Sequence, residues 1–126
     1  MILVDSNVWI GLLSEDDSLH EQAGKALELL ASEKETIILS DHVLSEVSTH
    51  LLFHERPETL EKFRKLVLGS RDIILRCLTP EEAREVSERV GKSPKRLSFT
   101  DEVLRLLSER HNYGLLTFDN DLAKAK

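Results

Sequence analysis

Residues 1–10 read MILVDSNVWI, and the reading of this stretch decides the fold. Ile2, Leu3 and Val4 form an unbroken apolar run, the pattern of a short strand covered on both faces. The run stops on Asp5, with Ser6 and Asn7 directly behind it. All three residue types cap helices well, so one reading has Asp5 opening a helix that starts at once. The other reading is topological. In open parallel sheets, ligands and chemistry gather beyond the carboxyl ends of the strands, which is where Asp5 would stand.

Working outward from this segment, strands and helices alternate. SLHEQAGKALELL repeats Leu19, Ala23, Ala26, Leu27 and Leu30 at helical spacing. TIILS is a second strand. Asp41 is expected to cap a helix whose inward stripe is Val43, Leu44, Val47 and Leu51. A helix from about Pro57 turns Leu60, Phe63, Leu66 and Val67 inward, and DIILRCL is a third strand. In TPEEAREVSERV, Thr79 caps, Pro80 takes the first helical position and Glu82 closes a capping box. LSFTDEVLRLLSERH is a helix capped by Ser98 with Val103, Leu104 and Leu107 inward, and it feeds YGLLTF, a fourth strand ending on Asp119. The alternation predicts an α/β fold. Its form is a three-layer helix-sheet-helix sandwich around a central parallel sheet of four to five strands, joined by right-handed crossovers.

The 126 residues fit one domain, residues 1–126, with 40% hydrophobic and 32% charged residues and no internal repeat. A formal net charge of -6 argues against nucleic-acid binding through phosphate neutralisation alone. An acidic site that loads divalent cations escapes that objection. The one cysteine, Cys77, lies in an apolar run and reads as a core filler rather than a nucleophile. No basic leader precedes the first apolar run, and Asp5 and Asn7 interrupt it, so neither a signal peptide nor a membrane span is expected. A cytoplasmic location follows as the expectation.

Parallel strands end on one edge, and the helices after them start there. Asp5 and Asp119 end strands, Asp101 lies in the first turn after Ser98, and Glu46 lies within the second turn after Asp41. All four carboxylates are therefore expected on one edge, where they would repel one another unless a cation bound them. Oxygen-only ligands select hard divalent ions, Mg²⁺ or Mn²⁺, over zinc. Each residue also has a plainer role: Asp101 suits the helix dipole, and Asp119 opens DND, a common polar turn. Glu46 stands among Val43, Leu44 and Val47, where a carboxylate on the apolar side of a helix needs a partner or a cation.

The pieces ILVDSNVWI, VLSEV, LSFTDEVLRLLSER and GLLTFDNDL resemble, in order and separation, the successive motifs of the PIN domain nucleases, and most of all the VapC-like toxins. The resemblance runs from Met1 to about Leu122. It implies a ribonuclease requiring Mg²⁺ or Mn²⁺ with Asp5, Glu46, Asp101 and Asp119 as its acidic quartet, while Asp121 matches an acidic position that part of the family uses. It also implies an RNA substrate, a cognate antitoxin and a homodimer. A PIN-like RNA-processing nuclease outside a toxin pair and a non-cleaving PIN-like binding domain are the alternatives. Family members commonly continue into a closing fifth strand, whereas here Leu122 is followed by AKAK.

On that reading Asp5 and Asp119 ligate directly, Asp101 and Glu46 complete the shell, and Ser6, Asn7 and Thr117 orient waters around it. Lys92, Lys95 and Arg96, in GKSPKR just before the Asp101 helix, are candidates to hold flanking phosphates. His50 and His54 share a helical face, but with no third ligand in view they read as surface or interface residues. A haloacid-dehalogenase-like phosphatase would place an acid where Asn7 stands, and a receiver domain would place its Asp after the third strand, where the chain reads RCLTP.

Overall fold

The computed structural model describes residues 1–124. The elements run β1 (Ile2–Val4), α1 (Ser6–Leu13), α2 (His20–Ser32), β2 (Ile37–Ser40), α3 (Asp41–His54) and α4 (Pro57–Gly69). They continue with β3 (Ile73–Arg76), α5 (Pro80–Arg89), α6 (Phe99–His111), β4 (Gly114–Leu116) and α7 (Asn120–Lys124). Four strands, all parallel, form one sheet among the described residues in the order β3-β2-β1-β4. The α/β layering matches the expectation, with four strands; residues 125 and 126, on which part of the question of a fifth strand falls, lie outside the described residues.

Strand β1 is central. Ile2 is in register with Ile37 on one side and Gly114 on the other, and Val4 pairs with Leu116. The path steps β1 to β2 to β3 in one direction and then returns across the sheet to β4. Right-handed crossovers therefore put α1 to α4 on one face and α5 and α6 on the other. On the first face Trp9 meets Phe63 edge to face at 6.0 Å, both fully buried. Helices α1 and α2 approach closely at Gly11, where a Cβ would stand 3.2 Å from that of Ala23 and 3.3 Å from the Leu19 carbonyl oxygen. On the second face α6 buries Val103, Leu104, Leu106 and Leu107 and ends on Asn112 in the left-handed conformation, φ 57°, which asparagine tolerates.

The caps expected in this half are present. Thr79 and Glu82 form the capping box on α5, and Ser98 caps α6, where Asp101 answers it to complete a second box. Three expectations need correction. Ser40, not Asp41, caps α3, its hydroxyl accepting from the His42 amide, and Asp41 is the first helical residue. Leu66 is exposed rather than inward, because the stripe of α4 narrows to Phe63 and Val67. Strand β3 forms as expected, at the edge of the sheet, and Ile74 and Leu75 are almost half exposed. Cys77, just beyond it, is exposed and fills no core.

Candidate active site

Asp5 answers to both of its readings. It is the N-cap of α1, its Oδ1 accepting from the Ser6 amide at 2.7 Å, and it stands at the carboxyl end of the central strand, its own amide donating to the Leu116 carbonyl at 2.9 Å. A strand that passes directly into a helix forces this coincidence, because the capping position is then also the first position beyond the sheet. Asp5 is buried, 4% exposed.

The other three carboxylates come from different elements. Glu46 rises from α3, Asp101 from the first turn of α6, and Asp119 from the turn between β4 and α7. Two placements differ from expectation. Asp119 lies beyond the end of β4 and works as a cap for α7, its Oδ1 accepting from the Asp121 and Leu122 amides at 2.9 and 3.3 Å. Glu46 is exposed and does not sit on the buried side of α3, which is the stripe Val43, Val47 and Leu51. It reaches the site from the border of that stripe.

Hydroxyl groups join the carboxylates. The Ser6 hydroxyl lies 3.3 Å from Asp5 Oδ1 and 3.0 Å from Glu46 Oε2, so its one proton is shared between two acids. The Thr117 hydroxyl donates to Asp5 Oδ2 at 2.7 Å and accepts from the Asp119 amide at 3.0 Å, tying the first acid to the turn that carries the last. Asn7 Oδ1 accepts from the Phe118 amide at 3.2 Å and pins that same turn to α1. Ser98, which the sequence offers only as a cap, also fixes Asp101: its amide donates to Asp101 Oδ2 and its hydroxyl accepts from the Asp101 amide, at 3.0 and 3.1 Å.

The electrostatics carry one sign. Burial pushes the Asp5 carboxyl above its ordinary value of 3.8, against the opposing hydrogen bonds from Thr117 and Ser6, and the charges of Asp101 and Glu46 push the same way. Asp101 is raised as well, first by burial and then by Asp119 and Glu46, with the Ser98 hydrogen bonds opposing. Among the described residues no lysine, arginine or histidine forms an ion pair with any of the four. Neighbouring Asp121 does have a cation, Lys95 at 3.6 Å.

A hard divalent cation fits this donor set. The donors are all oxygens, their charge is uncompensated, and Asp101 Oδ1, Asp119 Oδ2 and Glu46 Oε1 carry no hydrogen bond among the described residues. Among those residues no three acids stand close enough together to form a ready-made metal-holding group.

The basic loop divides. Lys95 reaches the edge through Asp121, and Arg96 is exposed next to it. Lys92 lines a different groove, on the flank of α5 and α6, among Glu85, Glu88, Arg89, Arg105 and Glu109. The loop is anchored between them by Ser93, whose hydroxyl donates to fully buried Glu102 at 3.0 Å and accepts from Arg105 at 3.0 Å. His50 and His54 face each other with ring centroids 4.5 Å apart, without an acid or thiol completing a metal set among the described residues.

The four carboxylates thus gather, without a paired cation among the described residues, beyond the carboxyl ends of a parallel sheet. The PIN domain profile matches residues 2–126, and the chain belongs to the PIN domain family. Among solved structures it is similar to Mycobacterium tuberculosis VapC20, a sarcin-ricin loop cleaving toxin. The sequence identity is 24% and the TM-score 0.86, covering 99% of this chain and 95% of that one. No curated protein matches it. Among the described residues no helix is long and apolar enough to cross a membrane.

Proposed function

We propose that this PIN domain is an endoribonuclease dependent on Mg²⁺ or Mn²⁺ and that it acts as the toxin of a toxin-antitoxin pair. The observation that carries the reading is the convergence of Asp5, Glu46, Asp101 and Asp119 without a paired cation among the described residues, Asp5 and Asp101 both raised from their ordinary value by burial and by neighbouring acids. The likeness to VapC20, a toxin, supports the toxin assignment; a cognate antitoxin, a homodimer and a cytoplasmic place of action are proposed along with it.

Asp5 and Asp119 would hold the cation directly, and Asp101 and Glu46 would complete its surroundings directly or through water. When bound, the ion supplies a nucleophilic water at neutral pH and offsets charge building on the phosphoryl oxygens. Thr117 and Ser6 keep the Asp5 oxygens at fixed positions, so the ligand geometry is set before substrate arrives. Asn7 holds the 117–119 turn against α1 and so fixes the distance between the first and last acids. Asp121 engages Lys95 and thereby brings a cation within reach of a flanking phosphate. No side-chain nucleophile takes part.

The test is cleavage of single-stranded RNA by the full chain with Mg²⁺ or Mn²⁺ and with a chelator. Cleavage is expected only with the ion. Asp5→Asn and Asp119→Asn are expected to lower it by more than about a hundredfold, beyond what losing an outer-shell group costs, and Thr117→Val by about tenfold. Full activity in chelator, or in Asp5→Asn, overturns the assignment.

A further inference from the structure

Of this chain's four phenylalanines, Phe63 is fully buried, Phe53 is 74% exposed near the end of α3, and Phe99 is 37% exposed at the first position of α6. Its ring stacks on His42, centroids 5.2 Å apart and planes at 28°. His42 is oriented in turn by Asp41, whose Oδ1 lies 3.1 Å from its Nδ1. The pair bridges the two helices that deliver half of the acidic cluster. Phe99 directly follows Ser98, which fixes Asp101, and His42 precedes Glu46 by one helical turn. Asp101 and Glu46 are near enough that the charge of Glu46 is felt at Asp101. A partly exposed aromatic stack thus joins the two helix segments that carry Asp101 and Glu46. Phe99 adds little to the core there, since the buried stripe of α6 is Val103, Leu104, Leu106 and Leu107.

We propose that Phe99, backed by His42, is the platform on which a nucleobase of single-stranded RNA stacks when its backbone lies across the acidic edge. The proposal rests on the nuclease reading. Unpaired RNA bases are splayed out and stacked on aromatic side chains, and such stacking tolerates any base. It also gives a chain of net charge -6 a means of gripping RNA that does not depend on positive charge. The platform would place a base beside the phosphate presented to the acids, making it a substrate-positioning site rather than a catalytic one.

The experiment measures binding of a single-stranded RNA carrying one 2-aminopurine to the Asp119→Asn protein, with and without Phe99→Leu, together with kcat and KM in the otherwise native chain. Leucine keeps the apolar packing against His42 but has no π face. The expected result is affinity about tenfold weaker, lost quenching of the stacked 2-aminopurine, raised KM and unchanged kcat, with Phe99→Tyr restoring all of these. His42→Leu, which removes the backing ring and leaves Phe99 in place, is expected to give a smaller change in the same direction. If the native chain cleaves RNA while Phe99→Leu matches its parent in affinity and quenching, the stacking inference alone falls. If the native chain does not cleave, yet Phe99→Leu loses affinity and quenching, the nuclease reading alone falls. Absence of RNA binding by every variant overturns both.

Discussion

On the flank built by α5 and α6, Glu82, Glu85 and Glu109 each face an arginine; at the strand edge, Asp5, Glu46, Asp101 and Asp119 face one another. Glu82 shows the first arrangement most clearly. Arg76 grips it with two hydrogen bonds of 2.8 Å, the Thr79 amide adds another, and its carboxyl is held down at about 2. Glu85 is lowered by Arg110 in the same way. Asp5, hydrogen-bonded too, is displaced upward by burial and by the charges of Asp101 and Glu46, with no cation paired to it to offset them. Burial raises both carboxyls; at Glu82 the Arg76 guanidinium outweighs it, and at Asp5 no cation does. On the flank the acids have arginines against them, whereas at the edge four acids stand together without a cation among the described residues, the contrast on which the proposed ion site rests.

Neutralising one acid in each region should separate the two most strongly. Glu82→Gln removes the charge from a buried pair and leaves Arg76 with a weaker acceptor, at a cost of about 2 kcal/mol and several degrees in thermal midpoint, while RNA cleavage survives. Asp5→Asn should do the reverse. It relieves repulsion and keeps a side-chain acceptor for the Ser6 amide, so the metal-free protein is as stable as the native chain or more so. The gain in midpoint on adding Mn²⁺ should nevertheless shrink. Thermal melts of both variants with and without the ion check this, and a large loss of stability in metal-free Asp5→Asn would mean that the edge is a structural cluster like the flank.

Acidity tests the same contrast with smaller effects. Asp5 and Asp101 titrate above their ordinary 3.8, so between that value and the raised one the folded chain binds more protons than the unfolded, and stability rises as pH falls through the window. Glu82 acts oppositely. Its contribution is complete above 4.5 and is lost as pH falls from there toward about 2. The metal-free protein should therefore gain stability on mild acidification and lose it on stronger acidification. Asp5→Asn should flatten the first limb and Glu82→Gln the second, in denaturant melts across pH. Ion loading should weaken along the first limb, because protons and the cation compete for the same oxygens.

How much of these regions is legible in the sequence follows from how local each feature is. The Asp5 strand-to-helix junction and the caps at Thr79 and Ser98 are set by neighbours within a few residues, and they stand where the spacing puts them. The exposure of Ile74, Leu75 and Cys77 is not legible, because an apolar run reads alike in a central and an edge strand, and only the order β3-β2-β1-β4 tells them apart. Glu46 is misplaced by sequence reasoning for a related reason: a residue flanking the Val43 and Val47 stripe is turned in or out by a fraction of a helical turn. Phe99 is hidden by the periodicity itself. It precedes Val103 by four residues, as a core position would, but at the first turn of the helix that side chain clears the sheet.

The smallest expected effect concerns the basic loop, where the two regions meet. Lys95 lies 3.6 Å from Asp121 at the acidic edge, whereas Lys92 lines the groove of glutamates and arginines on the flank. If RNA follows the edge, Lys95→Ala combined with Arg96→Ala should reduce the dependence of log affinity on log salt by roughly 0.7 for each phosphate no longer neutralised, and weaken binding a few-fold at moderate salt. Turnover at saturating RNA should hardly change, since these groups would grip ground state and transition state alike. Lys92→Ala should leave the slope where it was. A salt series on single-stranded RNA in the Asp119→Asn background measures both variants together. Equal slope changes from Lys92 and from the Lys95 pair would carry the RNA path around the loop and onto the flank. No change from either would leave the loop a solvated surface, with binding resting on the cation and on Phe99.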